Sequence, residues 1–382
     1  MKKIRIGVAG LGFIGPIHIE ALRRIPGLEV VSVHHHNDAV QTKAEQLGIE
    51  RYYQDYDTFL SSDQLDCVHI CTPNFLHFEM ARKALAEGLH VVCEKPLATK
   101  ISEAEELVAL AKSTHRVNAV QFNVRYYPLI RQMKTMREKG ELGAIHTVLG
   151  SYLQDWLFYE TDYNWRLEPK KSGESRAIAD IGSHLMDLLE YITGLKITAV
   201  MADFDTVHKI RKKPLVPVET YSGKLLKPED YADVPIATED TAHVLLRFNN
   251  GHKGSITVSQ VAAGRKNRVA LEISAAKLSL AWESEKPNEL WIGKRDETNG
   301  LLLRDPSLFH AEASKITSFP GGHNEGFADT SKQLFSEVYN AIRTGIPQPE
   351  WKFPDFGDGL RELVLAEAII ASNKQQAWIT VP

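Results

Sequence analysis

Apolar positions in the first third of the chain fall in short continuous runs at 4–9 (IRIGVA), 28–34 (LEVVSVH), 66–71 (DCVHIC), 89–93 (LHVVC) and 117–121. Amphipathic stretches at 15–25, 38–47, 75–87 and 102–113 separate them, punctuated by Pro26-Gly27, Gly48 and Gly88. Continuous apolar strands alternating with amphipathic helices predict a parallel sheet covered on both faces. After about residue 122 the rhythm changes. Strands are predicted at 145–153, 197–204, 240–248, 253–262, 268–274, 277–282 and 288–293, with Asn250-Gly251 as a hairpin turn. Helices are expected at 178–193, 324–343 and 357–372, and a last strand at 377–381. The fold class is therefore α/β for residues 1–122, followed by an α+β domain over 123–382 with a large, mostly antiparallel open sheet. The C-terminal helix is placed with the second domain, with the option of packing back on the first. Residues 205–238 read as a long polar connection with four prolines, a lid, an arm or an interface loop.

Composition narrows the function classes. The 382 residues are 43% hydrophobic and 25% charged, and the net charge is −4 with a pI of about 6.4. A mildly acidic surface has no electrostatic footprint for nucleic acid or anionic lipid. No apolar window of ~18 residues is present, so no membrane span is expected. Three cysteines, Cys67, Cys71 and Cys93, lie in apolar strands without CxxC spacing. That pattern argues for a reducing, cytoplasmic setting and against a structural zinc. The consecutive histidines 34–36 point to alternate faces of a strand, so no metal site is expected.

Gly10-Leu11-Gly12-Phe13-Ile14-Gly15 reads GxGxxG between a predicted strand and a predicted helix. In that setting the first glycine makes the tight turn and the second lets the backbone approach a pyrophosphate. The third lets helix and strand pack, and the helix N-terminus faces the anion. The cofactor is accordingly NAD or NADP. At the end of the second strand, where an acid commonly holds the ribose 2′-hydroxyl, stand His34-His35-His36-Asn37, and His35 leaves that preference open.

Further motifs carry a resemblance. Cys71-Thr72-Pro73-Asn74 with His77, then Glu94-Lys95-Pro96, then Asp180-Ile181-Gly182-Ser183-His184 together resemble the glucose–fructose oxidoreductase / inositol dehydrogenase / MocA (Gfo/Idh/MocA) family over nearly the whole chain. The resemblance implies a Rossmann domain followed by a sheet domain used in homodimer or homotetramer contacts. It implies that Gly10, Gly12, Phe13, Ile14, Gly15, His35, Thr72, Pro73, Asn74 and His77 border the cofactor. Glu94 and Lys95 would lie near the nicotinamide ribose, with a cis Pro96. It also implies hydride transfer at a secondary alcohol of a sugar or cyclitol. The chain departs from the family's commonest pattern at His35, where an acid is frequent, and at Ser274-Ala275-Ala276-Lys277, where a glycine is usual.

Oxidising an alcohol removes a hydride from carbon and a proton from oxygen, and histidine is the natural base near neutrality. On spacing alone, Asp180, His184, Asp187 and Tyr191 form a polar stripe opposite Ile181, Leu185, Leu188 and Ile192, most simply a solvated face. The resemblance turns that stripe into a site, with His184 as acid/base, Lys95 as electrostatic aid and Asp180 or Asp187 orienting the imidazole. Arg125, Tyr126, Trp165, Arg166 and His323 are candidate substrate contacts, with core packing or capping as their ordinary alternatives. Two other readings stand beside a dehydrogenase. One is a glycoside hydrolase of the same family that retains its NAD. The other is a non-catalytic nucleotide-binding regulator, which the presence of Lys95 and His184 disfavours.

Overall fold

The computed structural model describes residues 3–215 and 227–382. The chain divides into two compact units, one formed by residues up to Tyr126 together with Phe327–Leu363, the other by Tyr127–Gly326 and Val364–Pro382.

The first unit is built on six strands, β1 (Ile4–Ala9), β2 (Leu28–His34), β3 (Arg51–Tyr53), β4 (Cys67–Ile70), β5 (His90–Cys93) and β6 (Asn118–Val120). They pair in the order β3-β2-β1-β4-β5-β6, all parallel. Helices α1 (Ile14–Arg23), α2 (Val40–Gln46), α3 (Tyr56–Ser62), α4 (His77–Ala86) and α5 (Ile101–Thr114) make the crossovers. β4 is buried at every position, as a strand covered on both faces must be. Val68, Ile70, Val91, Ala81, Leu85 and Leu107 belong to one apolar cluster with Phe356. The strand order reverses between β1 and β4, and the loops leaving these two strands flank the crevice where such sheets bind ligands. The sequence pattern did not reveal β3 or α3.

In the second unit α6 (Pro128–Glu138), β7 (Ile145–Leu153), α7 (Pro169–Ser172), α8 (Ser183–Thr193) and β8 (Ile197–Asp205) come first. β9 (Ile210–Pro214), β10 (Tyr231–Pro235), β11 (Thr241–Phe248), β12 (Lys253–Ser259), β13 (Arg268–Ala275), β14 (Ser279–Glu283), β15 (Glu289–Gly293) and β16 (Gly300–Leu303) follow. The chain closes with α9 (Ala311–Ser314), α10 (Phe327–Thr344), α11 (Phe356–Gln375) and β17 (Ile379–Thr380), of which α10 and the start of α11 belong to the first unit. The large sheet runs β16-β15-β14-β13-β7-β12-β11-β8-β17. It is antiparallel except where β12 pairs parallel with β7. Alternate residues of β11 are buried, so one face is covered and the other open. Leu149, Leu245, Trp291, Leu301 and Leu303 stand exposed on strands of this sheet.

The connection 205–238 is more structured than its polarity suggests: β9 and β10 pair as an antiparallel ribbon. Residues 216–226 of it lie outside the described residues. Arg211 of β9 is wholly buried and shares the Asp240 carboxylate with Arg176, its own Nη2 donating at 2.7 Å. Its Nη1 also donates to the carbonyls of Tyr159 and Asp162. One buried anion thus joins the ribbon, the 159–162 loop and the segment leading into α8. Asp240→Asn leaves two buried guanidinium groups short of a counter-charge, and is predicted to cost about 3–5 kcal/mol of stability in urea unfolding.

Candidate functional site

In the first unit the loops at the C-terminal ends of β1, β2, β4 and β5 are joined by backbone hydrogen bonds. Gly10 N–H donates to His34 O, Cys71 N–H to Ala9 O and Glu94 N–H to Ile70 O. Gly10 has φ +98°, and a Cβ there would lie 2.5 Å from the Cys71 carbonyl oxygen. A Cβ on Gly15 would lie 2.0 Å from the Gly10 oxygen, whereas one on Gly12 would meet nothing within 4 Å. The first and third glycines are therefore required by packing, and the second borders open space. Ile14 opens α1, whose N-terminus carries no side-chain cap and no acid in its first turn. Phe13 just before it is 59% exposed. An open cradle at an uncapped helix start fits a pyrophosphate.

His35 lies against this loop, its Nδ1 accepting the Leu11 N–H at 3.4 Å. Burial, then Lys43 and the neighbouring histidines, bring its pKa down to about 4. Lys43, one helix on, donates its Nζ to Leu11 O at 2.8 Å. Its reach from α2 back to the glycine loop leaves no local spacing signal in the sequence.

The His77 ring is packed between the Thr72-Pro73-Asn74 turn and the Glu94-Lys95-Pro96 turn, and its single N–H donates to one of two carbonyls. Its Nδ1 lies 2.7 Å from Pro96 O and its Nε2 2.8 Å from Thr72 O. The ring is wholly buried, and burial lowers its pKa. His77, expected to border the cofactor, sits between the two turns that follow β4 and β5. The Lys95–Pro96 bond is cis. Glu94 is buried, with Oε1 3.1 Å from His18 Nε2 and Oε2 3.3 Å from the Lys95 N–H.

Arg125 and Tyr126 occupy a 3₁₀ turn, Asn123–Tyr126, beyond β6. Arg125 pairs with Asp358 at 2.9 Å, and the Tyr126 hydroxyl donates to Glu337 at 2.6 Å. Tyr126 is 1% exposed. Both side chains are engaged with the 327–363 segment.

In the second unit the Asp180 to His184 stretch departs from a plain α-helix. Ile178–Gly182 forms a π-helical turn that runs into α8, a local widening often found at functional sites. Glu239 receives the Arg176 and Ile178 N–H groups and the Ser175 hydroxyl, fixing the start of this turn. Burial pushes the Glu239 carboxyl up, against the pull of those donors. Asp180 accepts from Gln260 Nε2 at 2.8 Å and lies 3.6 Å from Arg166 Nε. The Arg166 guanidinium sits 4.6 Å from the Trp165 ring centroid and 5.9 Å from that of Trp156. His184 and Asp187 are buried, and the Tyr152 ring lies 6.4 Å from the His184 ring. The polar stripe is thus not a solvated face: spacing records which residues share a side, not what covers it. Gln260 and Trp156 were missed because each meets the site from a strand end or loop distant in sequence. His323 is exposed in the loop before α10, which starts at Phe327 rather than 324. Its carbonyl accepts from Arg304.

Among the described residues no group of three or more His, Cys, Asp or Glu could hold a metal ion, and no helix is long and apolar enough to cross a membrane.

Residues 4–122 match the oxidoreductase family with NAD-binding Rossmann fold, and residues 130–281 match the GFO/IDH/MocA C-terminal domain. An uncharacterized oxidoreductase of Rhizobium meliloti is 30% identical, with all of both chains covered. The chain belongs to the GFO/IDH/MocA oxidoreductase family. It is similar over its whole length to the levoglucosan dehydrogenase of Pseudarthrobacter phenanthrenivorans, at 27% identity and 99% of that protein. A levoglucosan dehydrogenase structure with NADH and levoglucosan superposes with a TM-score of 0.88 at 26% identity, covering 100% of both chains. The Azotobacter vinelandii inositol dehydrogenase homolog with NADH and myo-inositol gives 0.86 at 26% identity, over 99% of this chain and 98% of that one. The Rossmann unit read from the glycine motif is thus an NAD-binding one, and the chain is an oxidoreductase.

Gly12→Ala fills the cradle without touching protein atoms. It is predicted to weaken NADH binding about tenfold in a fluorescence titration while leaving the thermal midpoint within about 2 °C, since exposed substitutions rarely cost more than ~0.5 kcal/mol.

Burial lowers the pKa of His34, His69 and His77 and brings His35 and His90 to about 4. The unfolded chain protonates these rings near 6.5, so it binds more protons than the folded one below that pH. The stability they carry is complete above about pH 6.5 and is lost as pH falls toward 4. Calorimetry should show a thermal midpoint flat from pH 7 to 8 and falling steadily between 6.5 and 4.5.

Proposed function

We propose that this oxidoreductase transfers a hydride between NAD(P) and a secondary alcohol of a sugar, sugar derivative or cyclitol. The observation that carries the substrate class is the Arg166–Asp180–Gln260 array beside the Trp165 and Trp156 rings, in which Asp180 shares a helical stretch with His184. Charged and amide groups suit a pattern of hydroxyls, and indole faces suit the apolar side of a sugar ring. The likeness to dehydrogenases of levoglucosan and inositol supports the same class.

When bound, the nicotinamide supplies the hydride acceptor. His184 takes the proton from the substrate oxygen onto an imidazole nitrogen and returns it in the reductive direction. Lys95 sets an ammonium group against the developing alkoxide. Asp180 is held by Gln260 and Arg166, and orients the acid/base. His35, in place of an acid, removes the repulsion that a carboxylate would exert on a 2′-phosphate, so both cofactors are to be compared. The exposed apolar side chains of the large sheet favour a homodimer or homotetramer, and we read the protein as cytoplasmic.

The test is to offer NAD⁺ and NADP⁺ with a panel of aldoses, inositols and glycosides and to follow absorbance at 340 nm. Reduced cofactor accumulating with one substrate group is the expected outcome. Release of aglycone with no net absorbance change would replace this reading by the hydrolase. Against the active substrate, His184→Ala and Lys95→Ala should each lower kcat/KM by about 10²–10⁴. The His184 variant should keep its NADH affinity within about threefold, because it removes a proton acceptor rather than a cofactor contact.

A further inference from the structure

A line of buried polar side chains runs through the first unit to Glu94. The Tyr339 hydroxyl on α10 lies 2.7 Å from His69 Nε2 on β4, His69 Nδ1 lies 2.9 Å from His18 Nδ1 on α1, and His18 Nε2 lies 3.1 Å from Glu94 Oε1. Tyr339, His69 and His18 are all 0% exposed, with the Phe335 ring packed edge-on against both imidazoles. The direction of these hydrogen bonds follows from one end. A buried phenol must donate its proton, and an imidazole nitrogen is a better acceptor than the Cys67 sulfur that also neighbours it. His69 Nε2 is then the acceptor. Burial, with His18 beside it, keeps the His69 pKa well below the usual range, so the ring carries one proton, and that proton is on Nδ1. It is donated to His18 Nδ1, and the His18 proton on Nε2 is donated to Glu94.

We propose that Tyr339 is a positioning residue for Glu94, acting through the two histidines as a one-way chain of donors that fixes the carboxylate beside Lys95. Each O–H or N–H points toward Glu94, and aligned bonds polarise one another in a low-dielectric interior. The carboxylate is held at Oε1, leaving Oε2 to the Lys95 side of the turn. The inference rests on the reading of Glu94 and Lys95 as cofactor-side residues.

Histidine tautomers make it testable. Ring ¹⁵N spectra of the full-length protein, with His18 and His69 assigned from His18→Gln and His69→Gln variants, should show His69 as the Nδ1–H form and His18 as the Nε2–H form. Tyr339→Phe keeps the ring stacked on His69 and removes only the hydroxyl. In this variant the His69 proton should stay on Nδ1, donated to His18, while the ¹⁵N signal of Nε2 shifts as that nitrogen loses its donor, and NADH should bind about 3–10-fold more weakly in a fluorescence titration. A His69 Nε2–H tautomer in the parent protein would overturn the direction of the chain. An NADH affinity unchanged in Tyr339→Phe would overturn the positioning role and leave Tyr339 a packing residue. Neither readout requires turnover, so absence of dehydrogenase activity would count against the proposed function alone.

Discussion

A carboxylate removed from water must be met by donors or a cation, and in each unit that requirement organises the surroundings of the candidate chemistry. In the first unit the carboxylate is Glu94, reached by His18 and, through it, by His69 and Tyr339. In the second the carboxylates are Glu239 and Asp240, which gather Ser175, Arg176, Arg211 and the N–H groups that open the π turn before His184. Apolar packing shapes both units, but it tolerates small slides. Paired buried charges with hydrogen bonds do not, and side chains that must meet a substrate within a fraction of an ångström are best hung from them.

The likeness to known dehydrogenases and the local geometry bear on different levels. The comparisons establish the family and the NAD-binding unit. The geometry shows which partners the individual residues meet. Arg125 and Tyr126 meet the 327–363 segment, and the His77 ring lies between two loops. Arg166 meets both Asp180 and two indole rings, so its position is determined by partners rather than by its own flexible chain.

What was legible in the sequence was what short stretches of backbone demand. Gly10 and Gly15 were readable because no side chain fits where they sit, and such a constraint is written in the residue itself. The strand runs of the parallel sheet were readable because burial on both faces leaves nothing but apolar positions. Lys43, Gln260, Arg211 and Tyr339 were not readable. Each matters through a partner met only in three dimensions, 32, 80, 29 and 270 positions away. The burial of His184 and Asp187 was hidden for the same reason: a helix face carries no record of its cover.

The composition of the first unit has a consequence for synthesis. Gln121, Asn123, Tyr126 and His69 find their partners in Ser331, Thr330, Glu337 and Tyr339. Those partners belong to a segment that follows the entire middle of the chain. At ~5–20 residues per second a ribosome needs roughly 10–40 s to bridge that interval. During it the nascent Rossmann sheet stands with one flank uncovered, its histidines open to water and its apolar edge open to other chains. The order of the gene thus runs against the order of the fold, and the second unit is made while the first is still waiting to be finished.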